Sequence, residues 1–253
     1  MFEIVFLANA IHERYEEFLV PFTYFALSTN PNSFVEIVVE SADTFERRCA
    51  ASLELLRKVH TNFLIRDMDK KPNGKHIANT YRFLEVPHTE GRYTYTMDVD
   101  VMLLESIVPH FEKMWPENCV INNIIRPNTE RLTGMHLVRT SEYYTPSFLA
   151  EQDSMYQSPP RTHENDEVVL HQMVSKCHSL PPRDFLWRPI FGIHFSPNRG
   201  CGKAVGLVAD RKYRDAFAAH EARHPGLFSL PEFRRLSDSL RDDFVIRSDE
   251  PSA

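Results

Sequence analysis

The chain has 253 residues, of which 42% are hydrophobic and 25% charged, and its formal net charge is −6. This composition is that of a globular protein with one large domain, or with a domain and a small lobe. The negative charge argues against a nucleic-acid-binding protein, which typically carries a basic stripe. No apolar run is long enough to span a bilayer, and the four scattered cysteines predict no disulfide framework.

The first half of the sequence alternates short apolar runs with amphipathic segments. The apolar runs predict strands over residues 3–8, 34–39, 62–65 and 93–97. The amphipathic segments predict helices over residues 12–27, 45–59 and 78–84. Pro21 is expected to interrupt the first of these helices. No basic segment precedes the first apolar run, so we expect a strand there rather than a signal peptide.

The second half of the sequence predicts strands over 119–125 and 132–138 and a helix over 166–177. A short apolar stretch at 191–195 leads into a loop, and the sequence after residue 207 is charged and helical in pattern. Because strands and helices alternate in the first half, we expect an α/β fold with a mainly parallel central sheet flanked by helices.

Two aspartates follow the strand predicted at 93–97. The segment Met97-Asp98-Val99-Asp100 continues into the apolar residues 101–103, which argues against an exposed turn. In parallel α/β sheets, ligands bind beyond the carboxyl ends of the strands, and carboxylate oxygens suit Mg²⁺ or Mn²⁺. Asp98 and Asp100 are therefore predicted to bind a divalent cation.

A histidine and a cationic loop follow later in the chain. His194 precedes a loop that contains Arg199, Gly200, Gly202 and Lys203. An imidazole can complete the coordination of Mn²⁺, while glycines let the backbone approach a phosphate group that the cations neutralise. We therefore expect His194 to be the third metal ligand and Arg199 or Lys203 to contact phosphate.

The order of these motifs resembles that of fold-A (GT-A) glycosyltransferases, and most of all glycosyltransferase family 8, which uses nucleotide-sugar donors with retention of anomeric configuration. The segments that carry the resemblance are Leu7-Ala8-Asn9, Thr80-Tyr81-Arg82-Phe83-Leu84, Met97-Asp98-Val99-Asp100, Thr133-Gly134-Met135-His136-Leu137, Asp166-Glu167 and 194–203. The chain departs from the family pattern because no asparagine precedes Gly134 and because Glu167 replaces the usual glutamine. Lys203 also lies farther from His194 than in the family.

The resemblance implies a role for each matching segment. Asp98, Asp100 and His194 would hold Mn²⁺ (or Mg²⁺), and Asp166 and Glu167 would act at the donor sugar as catalytic residues. The residues implied in donor binding are Leu7, Ala8, Asn9, Arg82, Asp98, Val99, Gly134, Arg199 and Lys203.

The resemblance also implies an activity and a domain organisation. The chain would move a hexose from a nucleotide-diphosphate donor, expected to be UDP-linked, to a hydroxyl group of a glycan or glycolipid. A single GT-A-type catalytic domain would cover 1–206, with a nucleotide-binding half (1–103) and a donor- and acceptor-side half (104–206), before a helical extension and tail over 207–253. We expect a cytoplasmic enzyme of polysaccharide biosynthesis at the inner face of the membrane, without a nucleic-acid partner or a transmembrane segment.

Two alternatives remain open. Asp98-Val99-Asp100-Val101 also matches the Asp-x-Asp-x-Thr/Val signature of haloacid-dehalogenase-type phosphatases, in which the first aspartate is the nucleophile. That motif normally ends the first strand of its fold, whereas several predicted elements precede it here. The second alternative is an inactive protein that binds a sugar nucleotide. Hydrolysis of an aryl phosphate with Mg²⁺ would indicate the phosphatase, and Mn²⁺-dependent nucleotide binding without turnover would indicate the inactive protein.

Overall fold

The computed structural model describes residues 1–157, 166–195 and 211–248, and a six-stranded sheet lies at its centre. The strands are β1 (Phe2–Ala10), β2 (Ser33–Val39), β3 (Phe63–Asp67), β4 (Gly91–Thr96), β5 (Val101–Leu103), β6 (Ile121–Asn122), β7 (His136–Arg139) and β8 (Gly192–His194). The helices are α1 (Glu13–Glu16), α2 (Leu19–Thr29), α3 (Ala42–Arg48), α4 (Ala50–Val59), α5 (Val108–Lys113), α6 (Thr140–Tyr143), α7 (Pro146–Gln157), α8 (Asp166–Cys177), α9 (Arg211–Arg223), α10 (Pro225–Phe228) and α11 (Pro231–Ser248). A 3-10 helix (Ala78–Phe83) precedes β4.

The central sheet has the strand order β3-β2-β1-β4-β7-β6. β3, β2, β1 and β4 run parallel. β7 runs antiparallel to β4, and β6 runs antiparallel to β7 and thus in the direction of β4. The expected α/β architecture with a mainly parallel sheet is therefore confirmed. β5 and β8 form a separate antiparallel pair.

The order in which the chain adds strands to the sheet reverses at β1. The chain moves from β1 outward to β2 and β3, and it then returns to place β4 on the other side of β1. Such a switch point opens a crevice beyond the carboxyl ends of the two neighbouring strands, and ligands of open α/β sheets bind in that crevice. The topology alone therefore points to the ends of β1 and β4 as a binding site.

The prediction that Pro21 interrupts the first helix is wrong. The break falls at Glu17 and Phe18, between α1 and α2. Pro21 lies in the first turn of α2, where backbone N–H groups have no acceptor within the helix, so the missing N–H of proline is tolerated. The helix predicted over 45–59 is also divided, because α3 ends and α4 begins at Cys49.

The strands predicted over 119–125 and 132–138 do pair, but most of the ladder is missing. Only β6, β7 and an isolated bridge between Ile125 and Leu132 pair as strands. Between these pairs, the side chain of Asn123 replaces ladder hydrogen bonds, since its Oδ1 accepts hydrogen bonds from the backbone N–H groups of Ile124 and Thr133. Side-chain amides compete with ladder hydrogen bonds in this way.

The helices after residue 210 complete the core around α2. The Tyr24 ring lies 5.8 Å from that of Phe228 and 5.7 Å from that of Phe233, and Phe25 stacks on Phe217 at 5.3 Å. All five rings are buried, so α9, α10 and α11 share one hydrophobic core with α2. The division of the chain at residue 206 stays a prediction. Among the described helices, none combines the length and the apolar character that crossing a bilayer requires.

Candidate metal centre

A cavity of about 220 Å³ lies at the crevice between the carboxyl ends of β1 and β4. Its walls come from the segment after β1, the 3-10 helix, the segment after β4 and the end of β8. The lining residues are Asn9, Ala10, Ile11, His12, Tyr15, Ala78, Asn79, Arg82, Asp98, Val99, Asp100 and His194. Charged and hydrogen-bonding groups are frequent in this set, so the cavity suits a polar ligand.

Asp98, Asp100 and His194 meet in this cavity. One candidate ligand atom from each lies within 4.8 Å of the other two, and Nε2 of His194 is 3.2 Å from Oδ1 of Asp100. The Asp100 side chain is only 4% exposed, while that of Asp98 is 34% exposed. Two carboxylates and an imidazole at this spacing can share one divalent cation.

The small sheet of β5 and β8 brings His194 to the aspartates. Val101 pairs with His194, and the backbone N–H of Phe195 donates to the carbonyl oxygen of Asp100 at 2.7 Å. Gly192 pairs with Leu103 two residues further along, where any Cβ would collide with the carbonyl oxygen of Met102. Only glycine allows the two strands to approach so closely. The sequence reasoning missed Gly192; its signal is a lone glycine inside an apolar strand.

The chemistry of the cluster fits a divalent cation. Oδ1 of Asp100 is buried and makes no hydrogen bond to a described residue, although His194 lies beside it. Burial and, to a smaller extent, the charge of Asp98 raise the pKa of Asp100, and His194 offsets only part of this effect. A buried carboxylate of this kind is stabilised by a positive charge, which Mn²⁺ or Mg²⁺ would supply.

Arg82 connects the aspartate pair to α8. Its Nη1 donates to Oδ1 of Asp98, and its Nη2 donates to Oδ2 of Asp166 at 2.7 Å. Burial disfavours the ionised form of Asp98, but the charge and hydrogen bond of Arg82 outweigh it and lower the pKa of Asp98. Arg82 therefore keeps Asp98 anionic beside the cavity, and it holds Asp166 at a short distance from the metal cluster.

The structure places the two predicted catalytic residues behind the cavity wall rather than in it. Asp166 and Glu167 form the first turn of α8 and are both buried. Asp166 pairs with Arg82, and Glu167 forms a bidentate ion pair with Arg126. Both carboxylates are thus engaged by guanidinium groups, and their catalytic role stays a prediction.

The predicted donor-binding residues occupy different positions. Asn9 and Val99 line the cavity, and Nδ2 of Asn9 is buried without a hydrogen-bond partner among the described residues. Leu7 and Ala8 are fully buried within β1 and do not belong to the lining. Gly134 lies against the guanidinium group of Arg82.

Two further predicted donor contacts, Arg199 and Lys203, lie outside the described residues. The roles of all the donor-binding residues stay predictions.

Tyr15 is a cavity residue that the sequence reasoning did not identify. It follows β1 by five positions, in α1, and it lines the same cavity as Asn9. Burial raises the pKa of Tyr15, and the carboxylates of Asp100 and Asp98 add to this effect. An aromatic residue just after a strand that ends at a predicted ligand site is the signal that would have indicated it.

Comparisons of sequence place the chain in no established group. No protein-family model matches it, and no curated protein matches its sequence.

Solved structures with a similar fold include several glycosyltransferases. The glycosyltransferase GlyE of Streptococcus pneumoniae, in its apo form, superposes with a TM-score of 0.47 and 9% identity over 71% of this chain and 44% of its own. The galactosyltransferase LgtC, bound to donor and acceptor sugar analogues, gives a TM-score of 0.48 and 14% identity over 70% of each chain.

A third similar structure is the mannosyltransferase PcManGT of Pyrobaculum calidifontis, in complex with GDP-Man and Mn²⁺. It gives a TM-score of 0.38 and 11% identity over 100% of this chain and 76% of its own. The present chain thus spans less than half the length of GlyE, and these similarities concern the fold.

Proposed function

We propose that the chain is a metal-dependent glycosyltransferase that moves a hexose from a nucleotide-diphosphate donor, UDP-linked by the family resemblance, to a hydroxyl group of a glycan or glycolipid. The observation that carries the proposal is the meeting of Asp98, Asp100 and His194 in a polar cavity at the switch point between β1 and β4. The same resemblance implies retention of anomeric configuration, and we propose that the enzyme works at the inner face of the membrane.

Each part of the cavity has a task in such a reaction. A cation held by Asp98, Asp100 and His194 would offset the negative charge that develops on the departing diphosphate. Nδ2 of Asn9 offers a hydrogen bond to the ligand, since no described residue accepts it. Arg82 also lines the cavity and carries a positive charge, because Asp98 and Asp166 stabilise its ionised guanidinium group.

The ion pairs of Asp166 and Glu167 support a mechanism without a protein base. The bond between the anomeric carbon and the phosphate oxygen breaks, the acceptor oxygen bonds to that carbon, and the departing phosphate oxygen takes the acceptor proton. Both carboxylates are in ion pairs with arginine and do not line the cavity, so neither is placed to take that proton. Asp166 and Glu167 would therefore act by their negative charge on the positive anomeric centre.

The geometry disfavours the phosphatase alternative. The motif follows β4, the fourth strand of the chain, instead of the first strand. The described residues that line the cavity include no lysine, although the later lysine motif of these phosphatases would have to contribute one.

Isothermal titration of UDP with and without Mn²⁺, followed by turnover assays on a panel of nucleotide sugars, tests the proposal. We expect binding that requires the cation and that disappears in Asp100→Ala while circular dichroism shows a folded protein. The matched control is Asp184→Ala, which removes an exposed aspartate on the loop after α8 and should bind as the parent protein does.

Three results would contradict the proposal. Unchanged UDP binding by Asp100→Ala would remove this residue from the site. Hydrolysis of an aryl phosphate with Mg²⁺ would indicate a phosphatase. Binding of UDP without turnover of any donor, in the presence of a broad set of acceptors, would indicate an inactive nucleotide-binding protein.

A further inference from the structure

Gly134 lies where no side chain fits. A Cβ atom added at this position would lie 2.5 Å from Nη2 and 3.3 Å from Cζ of Arg82. Carbon and nitrogen atoms that are not bonded do not approach so closely, so one of the two residues would have to move. The glycine is therefore in direct contact with the guanidinium group and not with the open part of the cavity.

Arg82 has little room to move. Its Nη1 and Nη2 are bound to Asp98 and Asp166, and its Cζ lies 4.7 Å from the centre of the Phe83 ring. The side chain is only 8% exposed. A displacement away from position 134 would shift Nη2, which is both the atom that a new Cβ would meet and the donor to Asp166.

The backbone at Gly134 is itself held in place. Asn123 accepts hydrogen bonds from the N–H and the hydroxyl group of Thr133 and donates one to the carbonyl oxygen of the same residue. It also donates to Nδ1 of His136 at 3.0 Å. Asn123 therefore holds the backbone of Thr133, next to Gly134, and the side chain of His136, two residues after it, and these contacts restrain the backbone from retreating to admit a larger residue.

We propose that Gly134 is a positioning residue that acts through Arg82: its missing side chain leaves the space in which one guanidinium group can hold Asp98 and Asp166 together. The inference rests on the proposed function, and it assigns Gly134 a steric role behind the site instead of a contact with the donor sugar. Asn123 is the support of this arrangement.

A double-mutant cycle between Gly134→Ala and Arg82→Lys tests the inference. The shorter, unbranched ammonium group of lysine cannot bridge two carboxylates and leaves position 134 open. With Arg82 present, we expect Gly134→Ala to weaken Mn²⁺-dependent UDP binding by about tenfold, since a small misplacement of a positioning group has effects of this order. In the Arg82→Lys background, we expect the same substitution to change binding less than twofold.

The ligand distinguishes this role from contact with the sugar. UDP carries no hexose, so a residue that only lines the donor sugar would leave UDP binding unchanged in Gly134→Ala and weaken binding of the sugar nucleotide alone. That result, or equal effects of Gly134→Ala in both backgrounds, would overturn the inference. Gly226→Ala serves as the control, because a Cβ there meets nothing within 4 Å.

Thermal unfolding separates the inference from the proposed function. If the parent protein bound no UDP, the proposed function would fail. The double-mutant cycle could still be measured as changes in melting temperature. We expect Gly134→Ala to lower the melting temperature by about 5 °C beside Arg82, because it overpacks a closed site, and by less than half of that in the Arg82→Lys background. Equal shifts in both backgrounds would show that Gly134 does not act through Arg82.

Discussion

Nε2 of His194 lies 3.2 Å from Oδ1 of Asp100, although the two residues belong to distant parts of the chain. The contact is produced by the pairing of β5 with β8, which sets His194 opposite Val101. The candidate metal centre therefore depends on a short pair of strands outside the central sheet, and substitutions in that pair should disturb metal binding without touching a ligand.

Gly192→Ala should impair the centre in this indirect way. The new methyl group would collide with the carbonyl oxygen of Met102 and force β8 away from β5, taking His194 with it. We expect Mn²⁺ affinity to fall by about 10–100-fold, as it does when residues that orient metal ligands are changed. Electron paramagnetic resonance of free Mn²⁺ measures the effect.

The control for this prediction is Gly226→Ala, in which the same methyl group enters open space. It should leave Mn²⁺ affinity unchanged. Equal affinities of Gly192→Ala and the parent protein would contradict the dependence of the site on the β5–β8 pair.

Asp100→Asn should stabilise the protein when chelator removes all metal. Burial raises the pKa of Asp100 above the ordinary value of 3.8, so ionisation of this group is less favourable in the folded than in the unfolded protein. The ionised carboxylate of Asp100 therefore destabilises the folded protein in full at pH values above its folded-state pKa, and this effect vanishes below pH 3.8. We expect a higher melting temperature for Asp100→Asn at pH 7 in EDTA, and no difference at pH 3. A lower melting temperature at pH 7 would contradict this account.

Arg82→Leu should cost far more stability than the loss of an exposed arginine. The substitution leaves the buried carboxylate of Asp166 and the partly buried carboxylate of Asp98 without their shared cation, which costs about 3–5 kcal/mol of unfolding free energy. The comparison is Arg92→Leu, which breaks the exposed pair with Glu112 and should cost less than about 1 kcal/mol. Urea unfolding measures both values, and similar losses would contradict the bridging role of Arg82.

The protein should lose stability as the pH falls from 6.5 toward 3. Burial, with a smaller contribution from His178 and Arg82, lowers the pKa of His136 to about 3. The unfolded histidine takes up a proton near pH 6.5 and the folded one does not. The contribution of His136 to stability is therefore fully present above pH 6.5, and it is lost as the pH falls to the folded-state pKa. His60 acts in the same direction, since burial lowers its pKa to about 4.

His136→Gln should flatten this pH dependence, measured as the free energy of unfolding at pH 7, 5 and 4. The amide oxygen of glutamine offers an acceptor for Asn123 without taking up a proton. His12→Gln replaces an exposed histidine and should keep the parent's pH dependence. If His136→Gln has the same profile as the parent, His136 does not contribute to acid lability.

The sequence predicts the central strands well because they are buried on both faces. β1 is apolar from Ile4 to Ala8, and β2 is apolar apart from Ser33 and Glu36, a pattern typical of parallel strands covered by helices. Helix boundaries are predicted less well: the apolar spacing from Phe45 to Leu56 continues across the break at Cys49, since both helices turn the same face to the core. The spacing of apolar residues indicates which side chains are buried, but it does not indicate where a helix ends.

The site is only partly accessible to sequence reasoning. Asp98 and Asp100 can be identified because a motif and a strand end coincide, and their proximity to His194 could be expected only from the order of motifs. The ion pair of Arg82 with Asp166 and the contact of Gly134 with Arg82 join residues that no local pattern relates. Such contacts depend on the tertiary packing.

The aromatic cluster around α2 has a consequence for biosynthesis. Tyr24 and Phe25 emerge from the ribosome early, whereas the rings that cover them, on α9, α10 and α11, are translated near the end of the described chain. A large apolar surface is therefore exposed while the polypeptide elongates, and such surfaces favour aggregation and chaperone binding. The nascent protein should reach protease resistance only after α9, α10 and α11 have left the ribosome, with contacts of long sequence separation setting its folding rate.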